Sequence, residues 1–133
     1  MKTRSMLTLE DCKRMSSAAE AEAKKNNWNV CVAILDDGGH LLHLFRMDGA
    51  TPANSRIAVE KGRTAAETRR STAMWEERVK SGRTVMLKMP GVTPVQGGLP
   101  IVVDGVCVGG VGVSGVQSHE DEQIAAAGIR ALD

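Results

Sequence analysis

The chain has 133 residues, a formal net charge of +1 and 25% charged residues. This length predicts a single domain, residues 1–133, that can bury a core of its own. The balanced charge gives no electrostatic support for binding nucleic acid or an anionic membrane. Only three aromatic residues are present, too few for a platform on which bases stack.

The cysteines and the N-terminus bear on the compartment. Cys12, Cys31 and Cys107 are odd in number and widely spaced, and no metal-binding cysteine spacing occurs. Reduced thiols are therefore expected, as in a cytoplasmic protein. The first residues contain no apolar core typical of a signal peptide, and no stretch reaches about 18 uninterrupted apolar residues. Neither a signal peptide nor a membrane-spanning helix is therefore expected.

The first half of the chain predicts a helix followed by a β-hairpin. Thr8 is a good N-cap, and apolar residues at a spacing of three or four predict an amphipathic helix ending near Asn26–Asn27. The run "NVCVAIL" predicts a buried strand, "DDGG" a turn and "HLLHLFRM" the return strand. The hairpin is thus expected over residues 29–47.

The second half predicts two helices, a loop, a second hairpin and a closing helix. Pro52 begins a helix that runs to residue 68, and Ser71 caps another that ends at Gly82. Residues 83–98 are irregular and rich in Gly and Pro, which is typical of a functional loop. The second hairpin is expected over 99–114 and the last helix over 119–132.

This order predicts an α+β fold, an antiparallel sheet of two hairpins with helices packed on it. Both hairpins are apolar on both faces. If helices cover one face only, a second copy of the chain would have to cover the other. A homo-oligomer is therefore expected.

Gly62 and Lys61 are unusual residues within the helix over 54–68. A glycine there costs the helix up to about 1 kcal/mol, unless something packs closely against it. Lys61 shares the inward face with Ile57, and a buried ammonium must be paired because its desolvation is costly. Its partner is expected to be a ligand carboxylate or an internal one, Asp48 or Asp121.

The stretch "PVQGGLP" offers backbone N–H groups with few obstructing side chains. Gly97 and Gly98 permit close backbone approach, so the loop from Gln96 to Pro100 could receive a carboxylate. The alternative is an ordinary turn into the strand. Neither a GxGxxG nor a Walker pattern occurs, so a nucleotide is not expected.

Another anion-binding corner is predicted where the last strand meets the last helix. Ser114 and Gly115 end the strand, and a helix N-terminus favours a carboxylate nearby. Asp121 is expected to cap this helix or to pair with Arg63. Arg63 could instead form an ion-pair row with Glu60 on its own helix.

Four stretches, taken together and in this order, resemble the GlcG/HbpS-type family, which includes the C-terminal domain of PduO-type proteins. They are "DDGGHLLHLFRMDGA", "EKGRTAAETRR", "GGLPIVVDGVCVGGVGVSG" and "DEQIAAAGIRAL". The resemblance spans roughly residues 7–132. It implies a profilin-like α+β fold, assembly into dimers or larger rings, and binding of a small ligand. Haem and cobalamin are the cofactors that it implies.

The return strand of the first hairpin holds candidate residues at both of its ends. Alternation predicts His40 and Arg46 on one face and His43 on the other, so the two histidines cannot chelate one ion. A haem iron needs only one axial imidazole, which makes His40 the leading metal ligand; otherwise His40 bonds the turn backbone. Arg46, with Asp48, is expected to border the ligand pocket.

Two functional hypotheses follow. The first is a protein that binds haem or another tetrapyrrole through His40. The second is a catabolic enzyme or accessory protein acting on a small carboxylic acid, such as a glycolate-pathway or aromatic-degradation intermediate. In the second, Lys61 and the glycine N–H groups hold the carboxylate. The sequence leaves open whether any reaction is catalysed.

Overall fold

The computed structural model describes all residues from 1 to 133. Its elements are α1 (Leu9–Lys25), β1 (Cys31–Asp36), β2 (Leu41–Arg46), α2 (Pro52–Thr68), α3 (Thr72–Lys80), a 3₁₀ helix (Thr84–Lys88), β3 (Gly98–Val103), β4 (Val106–Ser114) and α4 (Ser118–Arg130). None of the helices combines the length and the apolar character needed to cross a bilayer.

The four strands form one antiparallel sheet in the order β2-β1-β4-β3. The two predicted hairpins lie at its two sides and meet through β1 and β4 in the middle. Cys31 of β1 lies opposite Arg46 of β2 and opposite Ser114 of β4. The predicted α+β class with an antiparallel sheet is confirmed.

One face of the sheet is covered by α1 and α4. The N-cap predicted at Thr8 is confirmed, and it forms a capping box: Thr8 Oγ1 accepts from the Asp11 N–H at 3.1 Å, and Asp11 Oδ2 accepts from the Thr8 N–H at 2.9 Å. Such a cap satisfies backbone donors that a helix start leaves free. The core between these helices and the sheet contains Cys12, Met15, Ala19, Ala23, Val30, Val32, Ile34, Ile101, Val108, Val111, Val113, Ile124 and Ala125.

The other face is covered by α2, whose backbone approaches β4 at glycine positions. A Cβ added to Gly112 would lie 1.9 Å from the carbonyl oxygen of Ala58, and one added to Gly62 would lie 2.4 Å from Leu35 Cδ1. Gly62 therefore serves close packing, as its place in a helix suggested. Because helices cover both faces, neither face needs a second copy of the chain to cover it.

Exposed apolar side chains include three leucines of the edge strand β2, besides others such as Val102 on β3 and Leu87 in the 3₁₀ helix. Leu41, Leu42 and Leu44 are 47%, 39% and 38% exposed. A β-bulge interrupts the strand, since Ile34 lies opposite His43 while the next residue of β1 lies opposite Leu41. The strict alternation predicted from His40 to Arg46 was therefore wrong, because the bulge changes which residues share a face.

Candidate functional site

Lys61 and Asp121 form an ion pair in the interior, where their side chains are 3% and 2% exposed. Lys61 Nζ donates to Asp121 Oδ2 at 3.1 Å and to the carbonyl oxygen of Val113 at 3.1 Å. The other carboxylate oxygen accepts from the Val116 N–H at 3.1 Å. Burial raises the pKa of Asp121, and the Lys61 ammonium opposes that shift. The pair joins α2, β4 and α4.

The glycine loop packs directly on Lys61. A Cβ added to Gly97, whose φ is +134°, would lie 2.8 Å from Lys61 Nζ, and one added to Gly98 would lie 2.3 Å from the Lys61 carbonyl oxygen. The Gly98 N–H donates to Thr72 Oγ1 at 2.8 Å. The loop therefore needs glycine to approach Lys61, and the N–H of Gly98 is already used inside the protein.

The neighbouring polar groups also have internal partners. Ser114 Oγ donates to Asn54 Oδ1 at 2.8 Å, and Gln96 Nε2 donates to Glu122 Oε2 at 3.2 Å. Gly115 has a φ of +152° and leaves no room for a Cβ beside the chain at residues 29–30. These contacts bring together seven of the predicted site residues, called the buried corner after the Lys61–Asp121 pair at its centre: Lys61, Gln96, Gly97, Gly98, Ser114, Gly115 and Asp121. Gly115 is exposed and Gln96 is half-buried, whereas the other five are buried.

The chemistry of this buried corner is that of a satisfied internal network. Asp121, not Asp48 and not a ligand, neutralises Lys61. Asp121 pairs with Lys61 rather than with Arg63. Pro100, also predicted here, lies in β3 opposite Gly110. None of the five cavities of the molecule is lined by Lys61 or Asp121, so a role of this corner in ligand binding stays a prediction.

The β1–β2 turn presents an oriented histidine to solvent. His40 is 83% exposed, and its Nδ1 lies 3.3 Å from Asp36 Oδ1. The same carboxylate oxygen accepts from the backbone N–H groups of Gly38 and His40, each at 2.9 Å. Partial burial would raise the pKa of Asp36, but these hydrogen bonds outweigh it and lower that pKa. The carboxylate therefore stays ionised beside Nδ1 of the imidazole, and Nε2 has no hydrogen-bond partner.

Three arginines border this turn. Arg63 Nε donates to the Gly39 carbonyl oxygen at 3.1 Å, and Arg63 also pairs with Glu60. Arg69 donates to the carbonyl oxygen of Asp37, and Arg4 forms an ion pair with the Asp37 carboxylate. The sequence reasoning found Arg63 but missed Arg4 and Arg69. No local pattern indicates them, because the fold brings them to the turn from the N-terminus and the end of α2.

Arg46 lies at the other end of the hairpin from this turn. It borders a groove of about 440 Å³, the hairpin-end groove, which is lined by Glu20, Lys24, Asn29, Arg46, Met47 and Asp48. The predicted site residues are thus divided among the buried corner, the turn and this groove. No group of three or more His, Cys, Asp or Glu side chains is placed to hold a metal ion.

Comparison with known proteins gives a consistent family. A model described as "Haem degrading protein HbpS-like" matches residues 7–130. Protein GlcG of Escherichia coli K12 is 48% identical over 114 residues, which are 86% of this chain and 85% of GlcG. The corrinoid adenosyltransferase PduO of Salmonella typhimurium is 28% identical over 96% of this chain, a region that is 39% of PduO.

Solved structures of the same fold agree with this assignment. HbpS from Streptomyces reticuli, in a double-mutant form, has a TM-score of 0.91 and 32% identity over 100% of this chain and 91% of that one. A haem complex of the PduO C-terminal domain has a TM-score of 0.87 and 28% identity, covering 97% of this chain and 96% of that one. This chain belongs to the HbpS-like family.

Proposed function

We propose that this protein binds haem on the open surface around the β1–β2 turn, with His40 as the iron ligand. The observation that carries the proposal is the contact between His40 Nδ1 and Asp36 Oδ1 at 3.3 Å. A carboxylate on one imidazole nitrogen orients the ring and increases the basicity of the other nitrogen. His40 Nε2 is thereby prepared to bind a metal.

The surroundings of His40 suit the porphyrin ring and the propionates of a haem. Leu41 and Leu42 are exposed beside it and offer apolar contact to a porphyrin. Arg4, Arg63 and Arg69 border the turn, and guanidinium groups pair well with carboxylates such as the propionates. A bound haem would supply the iron, which the protein's own side chains are not grouped to hold.

The relatives support a tetrapyrrole as the ligand class. The solved PduO domain is a haem complex, and the matching family model is named for haem degradation. The full PduO relative is a corrinoid adenosyltransferase, which makes cobalamin the ligand to compare with haem. If the protein bound cobalamin but not haem, the ligand would be a corrinoid, as the name of the PduO relative suggests.

Haem titration of the apo-protein, followed by absorbance, tests the role of His40. We expect a saturable Soret band for the unaltered protein and loss of that spectrum in His40→Ala, because the iron loses its ligand. Asp36→Asn should weaken haem binding about tenfold, in the range that orienting groups contribute to metal sites. His43→Ala and His119→Ala are matched controls that should bind as the unaltered protein does.

Two results would contradict this proposal. One is an absorbance change that never saturates and is the same in all the variants, which indicates nonspecific association. The other is a saturable band that survives His40→Ala and disappears in His43→Ala or His119→Ala. The second result would keep haem as the ligand and assign the iron to another histidine.

We also propose that the chain forms a homo-oligomer through the β2 edge. Leu42 and Leu44 are exposed on this strand, and edge strands with apolar side chains are usually covered by another element. Light scattering after gel filtration should give a mass above that of one chain, 14.2 kDa. Leu44→Lys should lower this mass, whereas Val102→Lys on β3 should not. A monomer before any substitution contradicts the proposal.

A further inference from the structure

We propose that the hairpin-end groove is a second binding site, separate from the haem surface, and that it takes a free amino acid. Five of its six lining residues carry charged or amide groups, and only Met47 is apolar. The groove holds about 440 Å³, enough for a small polar molecule. Charge and pairing within it define the chemical class of the ligand.

One cation and one carboxylate of the groove remain without a partner. Lys24 Nζ lies 2.7 Å from Glu20 Oε2, so these two neutralise each other. Arg46 and Asp48 form no ion pair with each other or with any other residue within 4.0 Å. A ligand that carries both a carboxylate and an ammonium would therefore complement both, since its carboxylate suits the guanidinium and its ammonium suits Asp48.

Asn29 adds an exposed side-chain amide that has no hydrogen-bond partner within the protein. Gly49 has a φ of +91°, and a Cβ on it would lie 2.8 Å from Asn29 Nδ2. The absence of a Cβ at Gly49 thus leaves room for the amide, which lines the groove together with Asp48. An amide can donate to a carboxylate and accept from an ammonium, so Asn29 fits either end of an amino acid.

The groove is independent of the haem proposal. β2 has six residues and separates His40 from Asp48, so the turn and the groove are about 20 Å apart at the usual rise of a strand. Neither Lys61 nor any other residue of the buried corner lines the groove. Loss of haem binding would therefore leave this inference standing, and its failure would leave haem binding standing.

Isothermal titration of the apo-protein with each of the standard amino acids tests the inference. We expect at least one to bind saturably at one molecule per chain. Arg46→Gln and Asp48→Asn should each weaken that binding by about tenfold or more, as expected when a charged partner is lost. Arg56→Gln removes an exposed arginine outside the groove and should leave the affinity within about twofold.

Acetate and methylamine separate a zwitterion site from a simpler ion site. Each carries one charge of an amino acid, so each should bind at least about tenfold more weakly. The inference is overturned if no amino acid binds saturably, if both groove variants bind as the unaltered protein does, or if acetate binds as well as the best amino acid. The variants' unchanged melting temperatures without ligand would show that the fold is intact.

Discussion

Lys61→Met is expected to lower the free energy of unfolding by about 3–5 kcal/mol at neutral pH, the cost of breaking a buried ion pair from one side. Methionine fills much of the same space, so the loss is mainly electrostatic. Asp121 would keep its Val116 hydrogen bond but lose the ammonium that balances its charge. Urea denaturation followed by circular dichroism measures the change.

The double variant Lys61→Met/Asp121→Leu should recover much of this loss. Removing both charges leaves no unpaired ion in the interior, and apolar replacements of buried pairs are often neutral or stabilising. Lys80→Met is the matched control, because Lys80 pairs with Glu76 at the surface with 66% of its side chain exposed. That variant should change stability by less than about 1 kcal/mol.

The destabilisation in Lys61→Met should depend on pH in a defined direction. Burial already raises the pKa of Asp121, and loss of Lys61 removes the charge that opposes this shift. A carboxyl group whose pKa is higher in the folded than in the unfolded protein destabilises the folded state only when it is ionised. The folded state therefore loses stability as the pH rises from the carboxyl's pKa in the unfolded protein to its pKa in the folded protein. The variant should therefore be closer to the unaltered protein at pH 5 than at pH 8.

Any of three results would contradict this account of the buried pair. A single Lys61→Met variant as stable as the unaltered protein would mean that Asp121 finds another partner or water. A double variant no more stable than the single one would mean that Lys61 stabilises the fold by packing alone. A pH dependence of opposite sign would mean that Asp121 is not the group left unpaired.

The sequence predicts the elements of this fold well because the signals for them are local. The Thr8 cap, the turn after Asp36 and the continuous apolar run of β1 depend only on near neighbours along the chain. The bulge in β2 was missed because it arises from pairing with β1. The sequence did not predict that helices cover both faces of the sheet. This depends on α2 packing on the face opposite α1 and α4, which no local pattern encodes.

The same limit applies to the candidate site. Lys61 was correctly placed on an inward face, but the choice between Asp48 and Asp121 depends on strand order. β1 separates β2 from β4, so Asp48 after β2 lies away from the lysine, while Asp121 lies in the first turn of α4, the element that follows β4. The pairing of His40 with Asp36, four residues earlier, was within reach of the sequence, since a tight turn brings such residues together.

Gly112→Ala is the other substitution with a large expected effect, a loss of about 3 kcal/mol or more in the free energy of unfolding. The new methyl group would lie 1.9 Å from the Ala58 carbonyl oxygen and 2.4 Å from the Gly62 backbone nitrogen. Both contacts are with backbone atoms of α2, which cannot move as a flexible side chain can. The helix would have to shift away from the sheet as a whole.

Gly38→Ala is the matched control for that substitution. Its methyl group would lie 3.2 Å from the ring of His40, an exposed side chain that can rotate away. We expect Gly38→Ala to change the free energy of unfolding by less than about 0.5 kcal/mol and therefore to move the denaturation midpoint little. If Gly112→Ala were equally mild, α2 would not be held against β4 by backbone approach. The packing of Gly62 and Lys61 against the sheet would then need another explanation, because both residues lie on the same turn of that helix.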